Sequence, residues 1–464
     1  MKKKISALRN KIKSFFAEQV LSLAFSFLPR VSNKRFIKLT YIAEKVLTRD
    51  DPIIKVAMNE IRRYFSQNHP CVELSRRILR GLNPRCRKAL IKAFFIKSTL
   101  KGASQCREYA DKEGFTPPFF LVLSPTMRCN LNCVGCSTRR YAKADDLPIP
   151  IIDKLLNEAR GMGIHFIVTQ GGEMFVYEEM MDLYKKHKDI YFQVYTNGTL
   201  IDKKMAKTLV KLGNVAPMVS IEGFKETTDQ RRGRGVFDKI MQAMDNLREA
   251  NCFFGASVCQ TRYNTEEILS DEFFEMLLDK GCFIVWFFQF LPIGKDPDIE
   301  FMASPEQRHR LWKKVREVRS RLPIFIGDFW NDGPFVGGCI AAGRRYAHIN
   351  NKGDVEPCAF VHFSVDNIKD KTLRQALNSD FFRFLRSRQP FSNGNLFSPC
   401  MIIDDPDVLR QAVVKTGAHP THEGADVILN GQVRAALDEY SQKMLSITAP
   451  IWETVKDRNI KWPD

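Results

Sequence analysis

Cys129, Cys133 and Cys136 stand in the run Met127-Arg-Cys-Asn-Leu-Asn-Cys-Val-Gly-Cys136, a C-x3-C-x2-C spacing. Thiolate is the ligand that iron–sulfur clusters prefer, so three cysteines this close suit three corners of a four-iron cluster. The loop offers no fourth cysteine, which leaves one iron open to bind something else and so to do chemistry as well as store electrons. Three core or zinc cysteines are the ordinary alternative.

A second pattern lies in the C-terminal third. Cys339 and Cys358 are spaced as C-x13-G-x4-C around Gly353. The runs Tyr346–Asn350 and Asp354–Pro357 flank a short glycine turn, which predicts a hairpin that brings the two thiols near each other. Cys400, after Pro399, is the expected third ligand, with a plain buried cysteine as the alternative. His419 and His422 offer imidazoles nearby. Imidazole ligation of such clusters is uncommon, so surface or core histidines are expected there. Cys71, Cys86, Cys106, Cys252, Cys259 and Cys282 lack metal spacing.

The elements that must hold these loops alternate. Strands are predicted at 119–123, 164–169, 190–196, 215–222, 254–260 and 283–291, with helices near 151–161, 177–187, 201–212, 236–250 and 270–279. Six β/α units with short links imply a parallel sheet flanked by helices. Before them, 30–118 reads as helical, with segments near 33–47, 53–67 and 84–100 and a boundary at Pro117-Pro118.

The cysteine loop follows the first strand, and Gln170-Gly171-Gly172-Glu173 follows the second. Together they resemble the radical S-adenosylmethionine (SAM) superfamily. That resemblance implies a partial (β/α)6 TIM-like barrel of α/β class with its site at the strand C-terminal ends. It also implies a [4Fe-4S] cluster on Cys129, Cys133 and Cys136 whose open iron chelates SAM. Reductive cleavage of SAM then releases a 5′-deoxyadenosyl radical that abstracts hydrogen from a substrate. Gly171, Gly172 and Glu173 match the site for the SAM amino group, the glycines by permitting close backbone approach and Glu173 by complementing an ammonium. Asn197 after the third strand, and Ser220 and Glu222 at the end of the fourth, match further SAM contacts. Arg232, in Asp229-Gln-Arg-Arg-Gly233, resembles a D-x-x-R-G segment of a related subgroup; each of these is also readable as a loop cap or surface charge. Many members carry an aromatic residue just before the third cysteine. Gly135 stands there instead, so adenine packing must come from elsewhere, with Tyr141 a candidate.

Cys339, Cys358 and Cys400 resemble the auxiliary-cluster domain of the SPASM/twitch subgroup. The dense second cysteine group of a full SPASM domain is absent, so one auxiliary cluster is expected, a second [4Fe-4S], with substrate, side chain or solvent as fourth ligand. Cys259 ends a predicted strand and is a candidate hydrogen-atom donor, beside the simpler reading of core packing. The expected domains are 1–118, a basic helical region; 119–325, the radical SAM core; 326–405, the auxiliary-cluster domain; and 406–464, a helical extension.

Composition supports a folded globular protein, with 44% hydrophobic residues and 35 Phe among 464. Twelve cysteines in a chain this long do not read as a disulfide framework. Cluster assembly needs reduced thiols, so a cytoplasmic location is expected, with a peripheral place on the inner membrane face. Charge is uneven: residues 1–118 hold 26 Lys+Arg against 9 Asp+Glu, a net +17 of the chain's +18. Such asymmetry points to an anionic partner. Ile5, Leu8, Ile12, Phe15 and Phe16 fall at helical spacing among lysines, so residues 1–28 suit an anionic membrane surface, or a helix docked on its own domain.

The leading expectation for the substrate is a membrane lipid or an acyl/isoprenoid chain. It rests on that amphipathic start and on Phe283-Ile-Val-Trp-Phe-Phe-Gln-Phe290, although a doubly buried strand explains the latter equally. Peptide maturation is the alternative. Nucleic-acid modification follows only from charge, with no motif. A non-enzymatic electron-transfer or sensor protein completes the set. A ferredoxin or flavodoxin is the expected reductant.

Overall fold

The computed structural model describes residues 31–47, 52–136, 145–294 and 297–457. The amphipathic segment 1–28 and Tyr141 lie outside the described residues.

Alternating apolar strands and amphipathic helices pair here into one sheet of nine strands. In chain order these are β1 (Phe120–Leu123), β2 (Phe166–Thr169), β3 (Tyr191–Thr196), β4 (Val215–Ile221), β5 (Gly255–Gln260), β6 (Ile284–Gln289), β7 (Phe325–Asp328), β8 (Tyr346–Ile349) and β9 (Val355–Glu356). Their spatial order is β7-β6-β5-β4-β3-β2-β1-β8-β9. The pairs from β7 through to β8 are parallel and β9 is antiparallel to β8, closing the expected hairpin. The two ends of the sheet do not pair, so the barrel is open, as the partial (β/α)6 reading expects.

All six predicted strands form. The seventh, β7, was not expected: it follows the helix Pro305–Arg321, which Ser304 and Gln307 start with a reciprocal capping box. Its first residue, Phe325, sits at the expected domain boundary and pairs with Ile284 of β6. β8 returns to the other edge and lies beside β1, Val122 opposite His348. The auxiliary region thus continues the core's own sheet.

The N-terminal helices differ in extent from the periodicity. A further helix, Pro70–Gly81, lies between the expected segments 53–67 and 84–100, and Pro70 does not break it. It stands in the first turn instead, with His69 as cap accepting from the Cys71 amide. The expected helix 84–100 is a short α-helix, Pro84–Ala89, that widens into a π-helical stretch, Leu90–Gly102, and continues as the helix Ala103–Glu113. Leu90 and Ala93 pack with Tyr191, Ala216 and Met218 from one face of the sheet. Side chains alternate along a strand, so Tyr195 and Ser220 share that face further along. There they line a cavity at the strand C-terminal ends.

Candidate functional site

The cysteine loop leaves β1 and is held by backbone bonds to the segment after β2. The amides of Gln170, Gly172 and Glu173 donate to the carbonyls of Leu123, Thr126 and Arg128 at 2.9, 2.9 and 2.8 Å. A Cβ on Gly171 would lie 2.3 Å from the Thr126 oxygen, and one on Gly172 would lie 2.0 Å from the Arg128 oxygen. The close approach that requires these glycines is therefore to the cysteine loop itself. Asp146 clamps the same loop from outside, accepting from Thr126 Oγ1 at 2.6 Å and Arg128 Nε at 2.9 Å.

One cavity of about 300 Å³ gathers Cys129, Cys133, Cys136, Gly171, Gly172, Asn197, Ser220, Arg232 and Cys259. Sequence reasoning had selected all nine. Two others, Glu173 and Glu222, do not line it. The Glu173 side chain is fully buried and lies behind the cavity wall, accepting from Thr196 Oγ1 (2.7 Å), the Asn197 amide (2.6 Å) and the Phe175 amide (3.1 Å). It ties the glycine segment to the end of β3 rather than presenting a carboxylate to a ligand. Burial raises its carboxyl above the usual range, against these donors. Glu222 is equally buried and pairs with Arg231 and Arg232, the latter through Nε at 2.8 Å. It orients the two guanidiniums, which do line the cavity. Asp229 of the same segment accepts from the Gly235 and Phe237 amides, which makes it a loop cap.

The expected place for an aromatic residue, Gly135, has φ 69°, and a Cβ there would meet the Phe290 ring at 2.8 Å. Phe290, just past β6, therefore fills that space and lines the cavity. Burial raises the Cys129 and Cys133 thiols, and Arg232 opposes the shift at Cys133. Asn197 Nδ2 lies 3.7 Å from Cys129 Sγ. Cys259 is held up by burial, with Arg231 beside it.

Cys339, Cys358 and Cys400 line a second, almost wholly apolar cavity of about 410 Å³ with Tyr346, Trp330 and Pro399. Tyr346 Oη donates to Cys358 Sγ at 2.8 Å. Burial raises all three thiols, Cys358 to about 12 and Cys400 to about 11; neighbouring sulfurs add to it at Cys339 and Cys358, and Asp404 adds to it at Cys400. His419 is exposed and His422 packs on His362, so neither lines this cavity. Four rings stand between the two cavities: Phe288 and Phe360 on one side, Phe329 and Trp330 on the other, with centroids 4.9–6.4 Å apart.

Among the described residues, no three His, Cys, Asp or Glu side chains converge on a single metal ion. Each cysteine triad instead faces a cavity wide enough for a polynuclear group, so the donor sets fit iron–sulfur clusters. The polar wall of Asn197, Ser220 and two arginines suits a ligand as charged as SAM.

The sequence did not single out Ser124, His348 or His362, which line the same cavity. His348 Nε2 lies 2.7 Å from Ser124 Oγ and its Nδ1 2.6 Å from Glu356 Oε2. The available signal was a histidine on the inward parity of β8, two residues from Tyr346.

Known proteins agree with this geometry. Residues 123–271 match the radical SAM superfamily model, and 339–403 match SPASM, an iron–sulfur cluster-binding domain. Over these residues the chain matches a radical SAM core followed by a SPASM domain. It is 26% identical to Fe-coproporphyrin III synthase of Methanosarcina barkeri over 47% of this chain and 57% of that protein. It is 28% identical to the mycofactocin maturase MftC of Mycolicibacterium smegmatis over 60% of this chain and 75% of that one. The chain therefore spans little more than half the length of the first. Its fold superposes on Streptococcus suis SuiB bound to the precursor peptide SuiA with a TM-score of 0.54, at 17% identity, covering 80% of this chain and 89% of that one.

Proposed function

We propose that this enzyme modifies a peptide by radical chemistry begun at the Cys129–Cys133–Cys136 loop. The relatives favour this over the lipid or isoprenoid reading, one being a maturase and another fold neighbour holding a precursor peptide. The observation that carries it is the shared cavity, in which the cysteine loop, the polar SAM wall and the Phe288–Phe360 rings enclose one space at the strand ends.

When bound, the cluster and SAM would supply a 5′-deoxyadenosyl radical. The chain's own residues do the rest. Asn197, Ser220, Arg231 and Arg232 orient the zwitterion and ribose, and Phe290 offers a ring face. The aromatic wall excludes water from the reacting carbon. Cys339, Cys358 and Cys400 would hold one further cluster behind that wall, to bind substrate or accept an electron. A small reducing protein such as a ferredoxin or flavodoxin supplies electrons. Among the described residues no helix is long and apolar enough to cross a membrane.

Anaerobically reconstituted protein with SAM and dithionite should yield 5′-deoxyadenosine, and the Cys129→Ala/Cys133→Ala/Cys136→Ala variant should yield none. Peptides, lipids and tetrapyrroles are then compared between cells making the active and the triple-variant protein. A mass change confined to a peptide supports the reading; a change only in lipids or tetrapyrroles overturns it. If SAM is not cleaved, the chain is an electron-transfer or sensor protein.

A further inference from the structure

His362 follows Cys358 by four residues, immediately before the short strand β10 (Phe363–Ser364), and is buried at 7% exposure. It lines the cavity of the cysteine loop. Its Nδ1 lies 3.4 Å from Glu356 Oε2, while its Nε2 is buried with no hydrogen-bond partner. Leaving a buried polar atom unpaired costs about 1–3 kcal/mol, so such an atom in a cavity wall asks for a ligand.

The tautomer follows from the partners. Glu356 is fully buried and accepts from Asn350 Nδ2 (3.0 Å) and Thr421 Oγ1 (2.5 Å), with His348 Nδ1 at 2.6 Å. A carboxylate accepts, so His348 presents Nδ1–H to it, and the 3.4 Å contact favours the same tautomer at His362, which leaves each Nε2 a lone pair. At His348 that lone pair is taken by the Ser124 hydroxyl. At His362, a residue of the cavity wall, it has no partner.

We propose that His362 is the proton acceptor for a substrate O–H, N–H or S–H next to the carbon that loses hydrogen. This rests on the reading that SAM and substrate meet in this cavity, and it narrows the substrate to one with a polar X–H at the reacting position, unlike a plain hydrocarbon tail. The X–H bond breaks heterolytically, the electron pair stays on X, and the proton goes to Nε2. Glu356 balances the imidazolium through Nδ1–H, and the step itself consumes no oxidant.

The charged and titratable groups around His362 are Glu356 on β9, His348 on β8, and His422, whose ring centroid is 3.9 Å away. Lys352 lies beyond His422, donating to the Thr421 carbonyl at 2.9 Å, and Arg231, Arg232 and Cys259 face it across the cavity. Burial, with His362 adding to it, holds His422 near 4, so it puts no second positive charge beside His362 at neutral pH.

The test is carbethoxylation of the reconstituted full-length protein by diethyl pyrocarbonate, mapped by mass spectrometry over its eight histidines between about pH 5 and pH 8. His362 should react, and more slowly with SAM bound. His348, with both nitrogens engaged, should stay unmodified. In the cell comparison, His362→Gln should lower the product about 100-fold or more. An inert His362 in the wild-type protein, or product retained at a tenth or more in His362→Gln, overturns the proposal. Failure of the wild-type protein to cleave SAM overturns the proposed function instead and leaves the His362 profile readable.

Discussion

Arg308 and Asp404 form a bidentate ion pair with neither side chain exposed, Nη1 to Oδ1 at 2.7 Å and Nη2 to Oδ2 at 3.1 Å. Arg308 belongs to the helix before β7, and Asp404 Oδ2 also accepts from the Cys400 amide at 2.9 Å. The pair thus links the radical SAM core to the last cysteine of the auxiliary set. Removing one partner strands a buried charge, so Arg308→Ala should cost about 3–5 kcal/mol. Chemical denaturation would read this, and a loss under 1 kcal/mol would show that Asp404 is satisfied without its arginine.

The two proposed clusters predict a stoichiometry. Reconstituted protein should hold about eight iron and eight sulfide per chain. Converting Cys129, Cys133 and Cys136 to alanine, or Cys339, Cys358 and Cys400, should bring each to about four. Iron near four in the wild-type protein, unchanged by the second triple variant, removes the auxiliary cluster.

Gly172→Ala would push a methyl group onto the Arg128 carbonyl, which lies 2.0 Å from the ideal Cβ. Backbone cannot yield there as a flexible side chain could. The cysteine loop must shift, and SAM affinity should fall at least about tenfold, or 1.4 kcal/mol. Equilibrium binding of labelled SAM checks it. Unaltered affinity would mean that the loop's position does not set the SAM site.

Asp328, at the end of β7, carries the pH prediction. Burial, reinforced by Asp332, raises its carboxyl to about 7, although Asn331 donates to it at 2.7 Å. The folded state holds this proton more tightly than the unfolded chain, whose carboxyl titrates near 4. The stability it confers is therefore full below about pH 4 and lost as pH rises through about 7. Thermal melts across that range should show the fall, and Asp328→Asn should flatten it. Equal slopes in both proteins would assign the effect to other groups.

Much of this was legible because it is local. Cysteine spacing, a glycine pair after a strand and period-two runs are short-range signals, and they located nine cavity residues. Glu173 and Glu222 stand off the cavity wall because motif position says which loop a carboxylate is on and nothing about which way it points. Three donors turn one inward, and two arginines claim the other. Ser124, His348 and His362 were invisible for the opposite reason. Ser124 lies more than 200 residues before the two histidines, and only the β1–β8 pairing makes them neighbours. Phe290 was read as part of a buried strand. It ends that strand, where the missing Cβ of Gly135 admits its ring.

That β1–β8 pairing also bears on modularity. β1, which launches the cysteine loop, is an interior strand only because β8 covers its far side. A chain cut after β7 would expose a row of unpaired amides and carbonyls beside the apolar run Phe120–Leu123, an invitation to edge-to-edge aggregation. The auxiliary region is thus a covering for the core as well as a cluster holder. Exchanging it between relatives means matching a strand register before any cysteine is considered.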